Sequence, residues 1–491
     1  MPWLLLLAST VIPLPGLGGP YPPSRFLAIL GFGAACGTLP FRIAPLLGRT
    51  HIIILISWTL LLAARMFTSC VKLGYGYDLA HILNILENTC QGRFLYSDYL
   101  EGSILSYHLY LTLGLLAPLY QIGRSALLLQ CVQLLLMATG AWLLASGAER
   151  RFGPFAGVGS LLLLLMHPFY QGQSLHEFDP GVIGFFGASL ALYGYGASRT
   201  VICCAGIMMA LLSKEHFAPG AILCGMMLST DRRTRRRGTA MAILGFSTLI
   251  VYYGWTFLTS QGEGLLLQAS IRLKNTGGST GILHNLVAPN RIGYILHMLI
   301  PGGLLALAGW AWLVPALPEL FLNVLSTFPM FRSTGHYAVL TLPFFAWAVA
   351  SGIARFSAQG ANTFPLKYVV STSLAAALLS NLGPLSHSIA FYDFLQSDGY
   401  GEAEAVRTFV SGFPGGTVAV LGSHRTLTLL ADREPAIELP YRDMSPILSM
   451  KDLMLFDLTK PRPPPGYFFI AGRPGMSLYR RDTTMDSGDP Q

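Results

Sequence analysis

The sequence predicts a multi-pass α-helical membrane bundle that ends in a small extracytoplasmic α/β domain. Three observations carry that expectation. Hydrophobic residues fill 52% of the 491 positions and charged residues only 11%, where a soluble domain carries about 25% charged. Runs rich in Leu, Ala, Gly and Ile recur, several of them near the roughly 20 residues that cross a hydrocarbon core as helix. After Leu385 these runs give way to short segments of strand-like composition. The net charge of +8 is not a nucleic-acid signal, because much of the excess sits in short clusters between apolar runs, as in cytoplasmic loops.

The elements follow in order. "MPWLLLLASTVIPLPGLGG" is apolar but lacks a basic n-region, which argues against a cleaved signal peptide. Residues 1–50 therefore read as a spanning hairpin (2–18 and 26–46) or an extension. The main transmembrane domain is expected over 51–385. Basic clusters at "AERRFG", near Arg199 and at "DRRTRRRG", with Arg42, Arg49, Arg355 and Lys367, are taken as cytoplasmic by the positive-inside rule. The run 51–69 then goes outward and 126–147 returns. Outer segments are Tyr75–Phe94, Met166–Gly181, Ser213–Phe217, Gln261–Arg291 and Phe331–Tyr337. A last run at 367–383 exports the C-terminal part. There "GGTVAVLGS", "PAIELP", "LMLFDLT" and "GYFFIAG…MSLYRR" read as strands and "HRTLTLLADR" as a helix, a small α/β domain over 386–482. Residues 483–491 read as a disordered tail. Among the seven cysteines no metal spacing occurs. Cys203, Cys204 and Cys224 read as core residues, and a Cys70–Cys90 disulfide is left open.

Nearly all the acids and histidines fall in the outer loops. In "YGYDLAHILNILENTCQGRF", Leu79, Ile82, Leu83 and Leu86 form one helical stripe. His81, Asn84 and Asn88 lie on another face, and Gly92 ends the helix. Such a helix, expected over 79–91, can lie in the membrane interface with its stripe toward lipid. Asp78 is placed to cap it, or to act as a base at the boundary between a lipid-borne donor and a water-borne acceptor. His108 is an interface or a site residue. "HEFDP", with His176, Glu177 and Asp179, is a solvated loop whose Asp179 caps the next helix before Pro180, or part of a site. Lys214, Glu215 and His216 interrupt an apolar context. Charges at membrane depth are costly and usually functional, though a Lys214–Glu215 or Lys214–Asp179 pair serving structure alone is the alternative. Arg332 and His336 offer an anion grip, and Arg suits phosphate. Arg272 and Lys274 add charge to a loop.

In this order the motifs resemble the bacterial and archaeal membrane family called domain of unknown function 2079, of the GT-C glycosyltransferase superfamily. The likeness runs from about Tyr75 to Arg480. It includes "YDLAHILNILENTCQGR", His108, "APLY", "EFDP", "KE" at 214–215, "LPELFLNVLS", "HY" at 336–337 and "GSHRTLTLLADR". The chain departs from the family's Phe-His-Pro at Phe178-Asp179-Pro180. The resemblance implies a GT-C fold in a prokaryotic inner membrane and a polyprenyl-phosphate-linked sugar donor. It also implies an acidic catalytic base in the first outer loop, which matches Asp78. The acceptor, whether glycan, lipid or protein, is unspecified. No cofactor is fixed, and a divalent metal is left open.

The residue chemistry suits inverting transfer. One carboxylate takes the acceptor proton. A lipid phosphate leaves well without the acid partner that a glycosidase needs. Lys214, Arg332 and His336 are candidates to stabilise its charge, with His108, His176, Glu177, Asp179 and Glu215 as further substrate contacts. A transporter or flippase, with polar groups near the midplane, and a non-catalytic scaffold are the competing readings.

Overall fold

The apolar runs of the chain fold into helices whose polar interruptions become turns at the two ends of a bundle. The structure is a computed structural model. It describes residues 47–71, 77–98, 100, 102–260, 288–326 and 337–358, with strands at 418–421, 437–438, 453–456, 467–473 and 476–481. The expected N-terminal hairpin, the run 367–383, the helix at 424–433 and the tail lie outside the described residues.

Helix α1 is Leu47–Val71 and α2 is Tyr77–Cys90; a short antiparallel hairpin follows, β1 (Tyr96–Ser97) with β2 (Gly102–Ser103). A 3-10 helix, Leu111–Leu116, runs into α3 (Ala117–Gly123). Then come α4 (Ala126–Phe152), α5 (Pro154–Leu165), α6 (Pro168–Leu175), α7 (Gly181–Gly196), α8 (Thr200–Ser213), α9 (Phe217–Ser229) and α10 (Arg235–Ser260). After residue 287 follow α11 (Pro289–Leu299), α12 (Gly303–Ala308), a further 3-10 helix (Trp310–Ala316), α13 (Leu317–Leu325) and α14 (Thr341–Ala358).

Among the described residues two segments are long and apolar enough to span a membrane by length and composition, Ala126–Phe152 and Arg235–Leu258. Helices α5, α7, α8 and α9 are shorter than a full span, because "HPFYQGQSLHEFDPG" and "SKEH" turn the chain early. The second outer loop is not a solvated connection: it contains α6, and Phe169 and Tyr170 are buried.

The core lies between α4, α5, α7, α8, α9 and α14, around Phe185, Phe217, Phe345 and Trp347. Trp347 meets Phe152 and Trp312 edge-on, at 5.6 and 5.7 Å between ring centroids. Helices α7 and α8 touch backbone to backbone: a Cβ on Gly187 would fall 2.6 Å from Ala210 N, and one on Gly206 would strike Ala191 N. Small residues at such crossings let helices approach closely where apolar burial gives little drive.

The basic loops gather at one end. Arg150 lies over the Tyr193 ring at 5.2 Å and Arg151 over Tyr195 at 5.4 Å, and Arg237 donates to Ser198 O at 3.3 Å. The acid- and histidine-bearing turns lie at the other end of the same helices. Cys203 and Cys224 are buried as expected, Cys204 is only partly buried, and Cys90 is a free thiol; Cys70 lies outside the described side chains.

In the C-terminal part five strands form one sheet: β3 (Val418–Leu421), β4 (Ile437–Glu438), β5 (Leu453–Phe456), β6 (Tyr467–Arg473) and β7 (Met476–Arg481), in the order β4-β3-β5-β7-β6. β3 pairs parallel with β4 and β5, and the remaining pairs are antiparallel.

Two predictions follow from the bundle. Gly206→Leu should destabilise the protein by at least about 1–3 kcal/mol through overpacking, read as a fall in Tm in detergent or nanodiscs. A cysteine at exposed Arg233 should react with an impermeant maleimide only from the cytoplasmic side and one at Gln91 only from the outside. Reaction of both from one side would overturn the assignment of the two ends.

Candidate functional site

Helix α2 carries Asp78 in its first turn. Its stripe forms as expected but does not face lipid. Leu79, Ile82, Leu83 and Leu86 are only 0–4% exposed, packed with Leu113, Tyr120, Leu129 and Phe178. The driving force is the same apolar burial; the partner is protein. The opposite face is also covered. His81 Nε2 lies 2.7 Å from Ser97 Oγ, and Asn84 and Asn88 donate to Asp98 Oδ2 at 2.7 and 2.9 Å. Arg93 closes the loop onto Asp98 at 3.2 Å. Gly92, at φ 91°, ends the helix as expected, with Arg93 N bonded to Asn88 O and Gly92 N to Thr89 O. That is the paired closure in which a left-handed glycine satisfies the last carbonyls.

The capping role expected of Asp78 is taken in part by another residue. Glu177 Oε2 accepts the amide of Leu79 at 2.9 Å, from 98 residues along the chain. An anion at a helix N-terminus is favoured by the free N–H groups and the dipole there. Asp78 itself is half-buried. Burial, first, and the charge of Asp179 raise its pKa above the ordinary 3.8, against the pull of His176, Lys214 and His108. His81, one helical turn on, is held down to about 4 by burial and by His108, so its ring is neutral at physiological pH.

The loop before α7 and the turn between α8 and α9 meet beside it. Lys214 Nζ lies 3.2 Å from Asp179 Oδ2 and 5.8 Å from the centroid of the Tyr110 ring. Asp179 Oδ1 also accepts from Gly181 N at 2.7 Å. The two readings of Asp179, helix cap and ion partner, therefore both hold. Gln133 fixes this loop, accepting from Asp179 N and donating to His176 O and Gln173 O. Glu215 pairs with His108 Nδ1 at 2.9 Å and accepts Leu109 N at 3.0 Å; His216 Nδ1 is 3.4 Å from it. Glu215 thus pins the segment that carries His108, which stacks on Tyr110 at 4.9 Å. The ion partner of Lys214 is Asp179, not Glu215.

The structure brings Asp78, His108, His176, Glu177, Asp179, Lys214 and Glu215 to one end of the bundle. Arg332 and His336, with Arg272 and Lys274, lie outside the described residues. Three further residues were not singled out in the sequence. Tyr110 is buried between Lys214 and His108. Gln133 looks like one polar residue in a spanning run. Glu319 sits inside "LPELF" and accepts Leu340 N, Thr341 N and Thr341 Oγ1 at 3.2, 2.7 and 2.6 Å, capping α14. A carboxylate amid Leu and Pro was the available signal for it.

Among the described residues no three His, Cys, Asp or Glu side chains converge in a metal-holding group. Glu215 and Asp179 direct their oxygens at backbone amides, His108 and Lys214.

The family described as a predicted membrane protein (DUF2079) matches residues 71–445, more than half of the chain. Among solved structures, ArnT from Cupriavidus metallidurans bound to undecaprenyl phosphate superposes with TM-score 0.56 at 13% identity, over 90% of this chain and 99% of that one. ArnT in the apo state gives 0.53 at 13% identity, over 90% and 100%. ArnT is a GT-C glycosyltransferase, and at this identity the likeness speaks for the fold alone. No curated protein matches the sequence.

The ion pair has a measurable consequence. The Lys214 and Asp179 side chains are 8% and 5% exposed, and removing one partner strands the other's charge. Lys214→Met should cost about 3–5 kcal/mol, and Lys214→Met with Asp179→Asn should recover most of it. Equal Tm values for wild type and Lys214→Met would show that the pair contributes nothing.

Proposed function

Because the chain belongs to the DUF2079 family of predicted membrane proteins and shares the GT-C fold of ArnT, we propose that it is an inverting membrane glycosyltransferase. It transfers a sugar from a polyprenyl-phosphate-linked donor to an extracytoplasmic acceptor, with Asp78 as general base. The observation that carries this reading is the convergence of Asp78, His108, His176, Asp179, Lys214 and Glu215 at one end of an apolar bundle. The undecaprenyl phosphate bound to ArnT supports the donor class.

Depth supports it too. Helix α8 has 14 residues, about 21 Å at 1.5 Å each, short of the roughly 30 Å hydrocarbon core. Counted from the basic end, Lys214 and Glu215 lie recessed below the outer boundary, where a lipid-linked phosphate comes within reach while water still supplies an acceptor.

In the proposed step the acceptor oxygen attacks the anomeric carbon and its proton passes to the Asp78 carboxylate. The bond from that carbon to the phosphate oxygen breaks, and the lipid phosphate leaves with the electron pair. Asp78, with its pKa raised by burial, holds a proton better than a solvated carboxylate, which suits a general base. Lys214 has three N–H donors; with two directed at Asp179, a third can meet a phosphate oxygen, with Arg332 and His336 as further cations. His108 and His176, whose charges act on Asp78, serve as substrate contacts in this reading, while Glu177 and Glu215 hold the N-terminus of α2 and the segment that carries His108. In a transporter the buried charges would mark a track through the bundle; Asp179, Lys214, Glu215 and Glu319 instead gather at one end.

Asp78→Asn tests the base. General base catalysis contributes about 10²- to 10⁴-fold, so transfer from polyprenyl-phosphate sugars by purified protein should fall by about two orders of magnitude or more, with donor binding retained. Near-normal transfer would remove Asp78 from catalysis. The pH dependence has a definite sign. A carboxyl whose folded pKa is raised stabilises the fold while protonated, below 3.8, and loses that contribution as pH rises through the folded value. Ionised Asp78 therefore weighs against the fold at neutral pH. Asp78→Asn should melt no lower than wild type there, and the acidic limb of kcat/KM should lie above 3.8.

A further inference from the structure

The stretch 111–123 is amphipathic in an unexpected sense. Leu113, Ala117 and Tyr120 are buried against α2. Leu115, Leu119 and Ile122, at i, i+4 and i+7, are 71%, 37% and 84% exposed, one continuous stripe of a helix surface. Two bonds tie the stretch to α2: Cys90 Sγ donates to Ala117 O at 3.4 Å, and Arg124 Nη1 lies 3.2 Å from Glu87 Oε1. At Arg124 the backbone turns left-handed (φ 32°, ψ 47°), ending α3. Ser125 Oγ then accepts Leu128 N at 3.1 Å, and α4 begins at Ala126.

We propose that Leu115, Leu119 and Ile122 insert into the outer edge of the lipid bilayer, so that 111–123 is a lipid anchor fixing the depth of α2 and of Asp78. The occupant is lipid rather than a protein partner because the stripe leads, through Arg124 and Ser125, directly into α4, a helix long and apolar enough to span a membrane. Helix α4 has 27 residues, about 40 Å at 1.5 Å each. That exceeds the roughly 30 Å core, so its first turns lie at the interface. Leu135, further along α4, is itself 63% exposed. The Arg124 side chain, 51% exposed at the end of the stripe, suits a lipid phosphate. An amphipathic helix of this kind sinks its apolar face about 5–10 Å into the boundary between headgroups and acyl chains. The interfacial element is thus the stretch beneath α2 and not the face of α2 itself. The anchor does not depend on the glycosyl-transfer reading.

The test uses the wild-type chain in phosphatidylethanolamine/phosphatidylglycerol vesicles that contain a phospholipid with a photoactivatable acyl chain. Adducts are mapped by peptide mass, with the exposed Phe257 and Leu258 of α10 as the positive control. Adducts on 115–122 are expected. Adducts on α10 with none on 115–122 would overturn the anchor. As a second measurement, spin labels on single cysteines at Leu115 and Ile122 should be more accessible to oxygen than to a nickel chelate, with the reverse at exposed Gln121. Preference for the chelate at all three positions would mean that water or a protein partner, not lipid, covers the stripe.

Discussion

The ion pair of Lys214 with Asp179 is the interaction on which the acid- and histidine-bearing end of this bundle depends. An ammonium and a carboxylate buried among Leu, Ala and Phe are tolerable only if each meets opposite charge and further hydrogen bonds. Those bonds recruit the rest of the end. Asp179 starts α7 through Gly181 and is itself held by Gln133 on α4. Lys214 covers Tyr110, next to which His108 is drawn onto Glu215. One desolvated charge therefore organises segments distant in sequence, and the cost of stranding any member keeps the arrangement rigid.

Helix α2 is fastened to that end from three directions. Glu177 takes the Leu79 amide at its N-terminus, Asp98 gathers Asn84, Asn88 and Arg93 along one face, and the stretch 111–123 covers the apolar stripe. Each fixes the helix backbone and leaves the Asp78 carboxylate to its electrostatic surroundings. Those surroundings raise its pKa through burial and the Asp179 charge. A carboxylate kept partly out of water beside another carboxylate costs stability, which is the usual signature of a group retained for its proton affinity.

The short helices serve the same end. By turning at residues 214–216 the chain keeps Lys214 and Glu215 below the level at which a full span would emerge. The glycine contact between α7 and α8 makes that early turn compatible with tight packing. The amphipathic stretch before α4 packs on the apolar stripe of α2 beside that turn.

Much of the helical bundle was legible in the sequence, since low charge, long apolar runs and basic clusters are local properties of composition. The stripe of α2 and its end at Gly92 were legible for the same reason: side-chain period and glycine conformation act within a few residues. Asp78, Lys214 and the "HEFDP" acids were recognisable as costly charges beside apolar runs. What covers the α2 stripe was not legible, because Leu and Ile are indifferent to whether lipid or protein buries them. The capping of α2 by Glu177, the choice of Asp179 over Glu215 as the partner of Lys214, and the roles of Tyr110, Gln133 and Glu319 were decided only by tertiary structure. These are contacts across tens to more than a hundred residues, and a sequence records which groups need a partner without recording which one the fold brings within 3 Å.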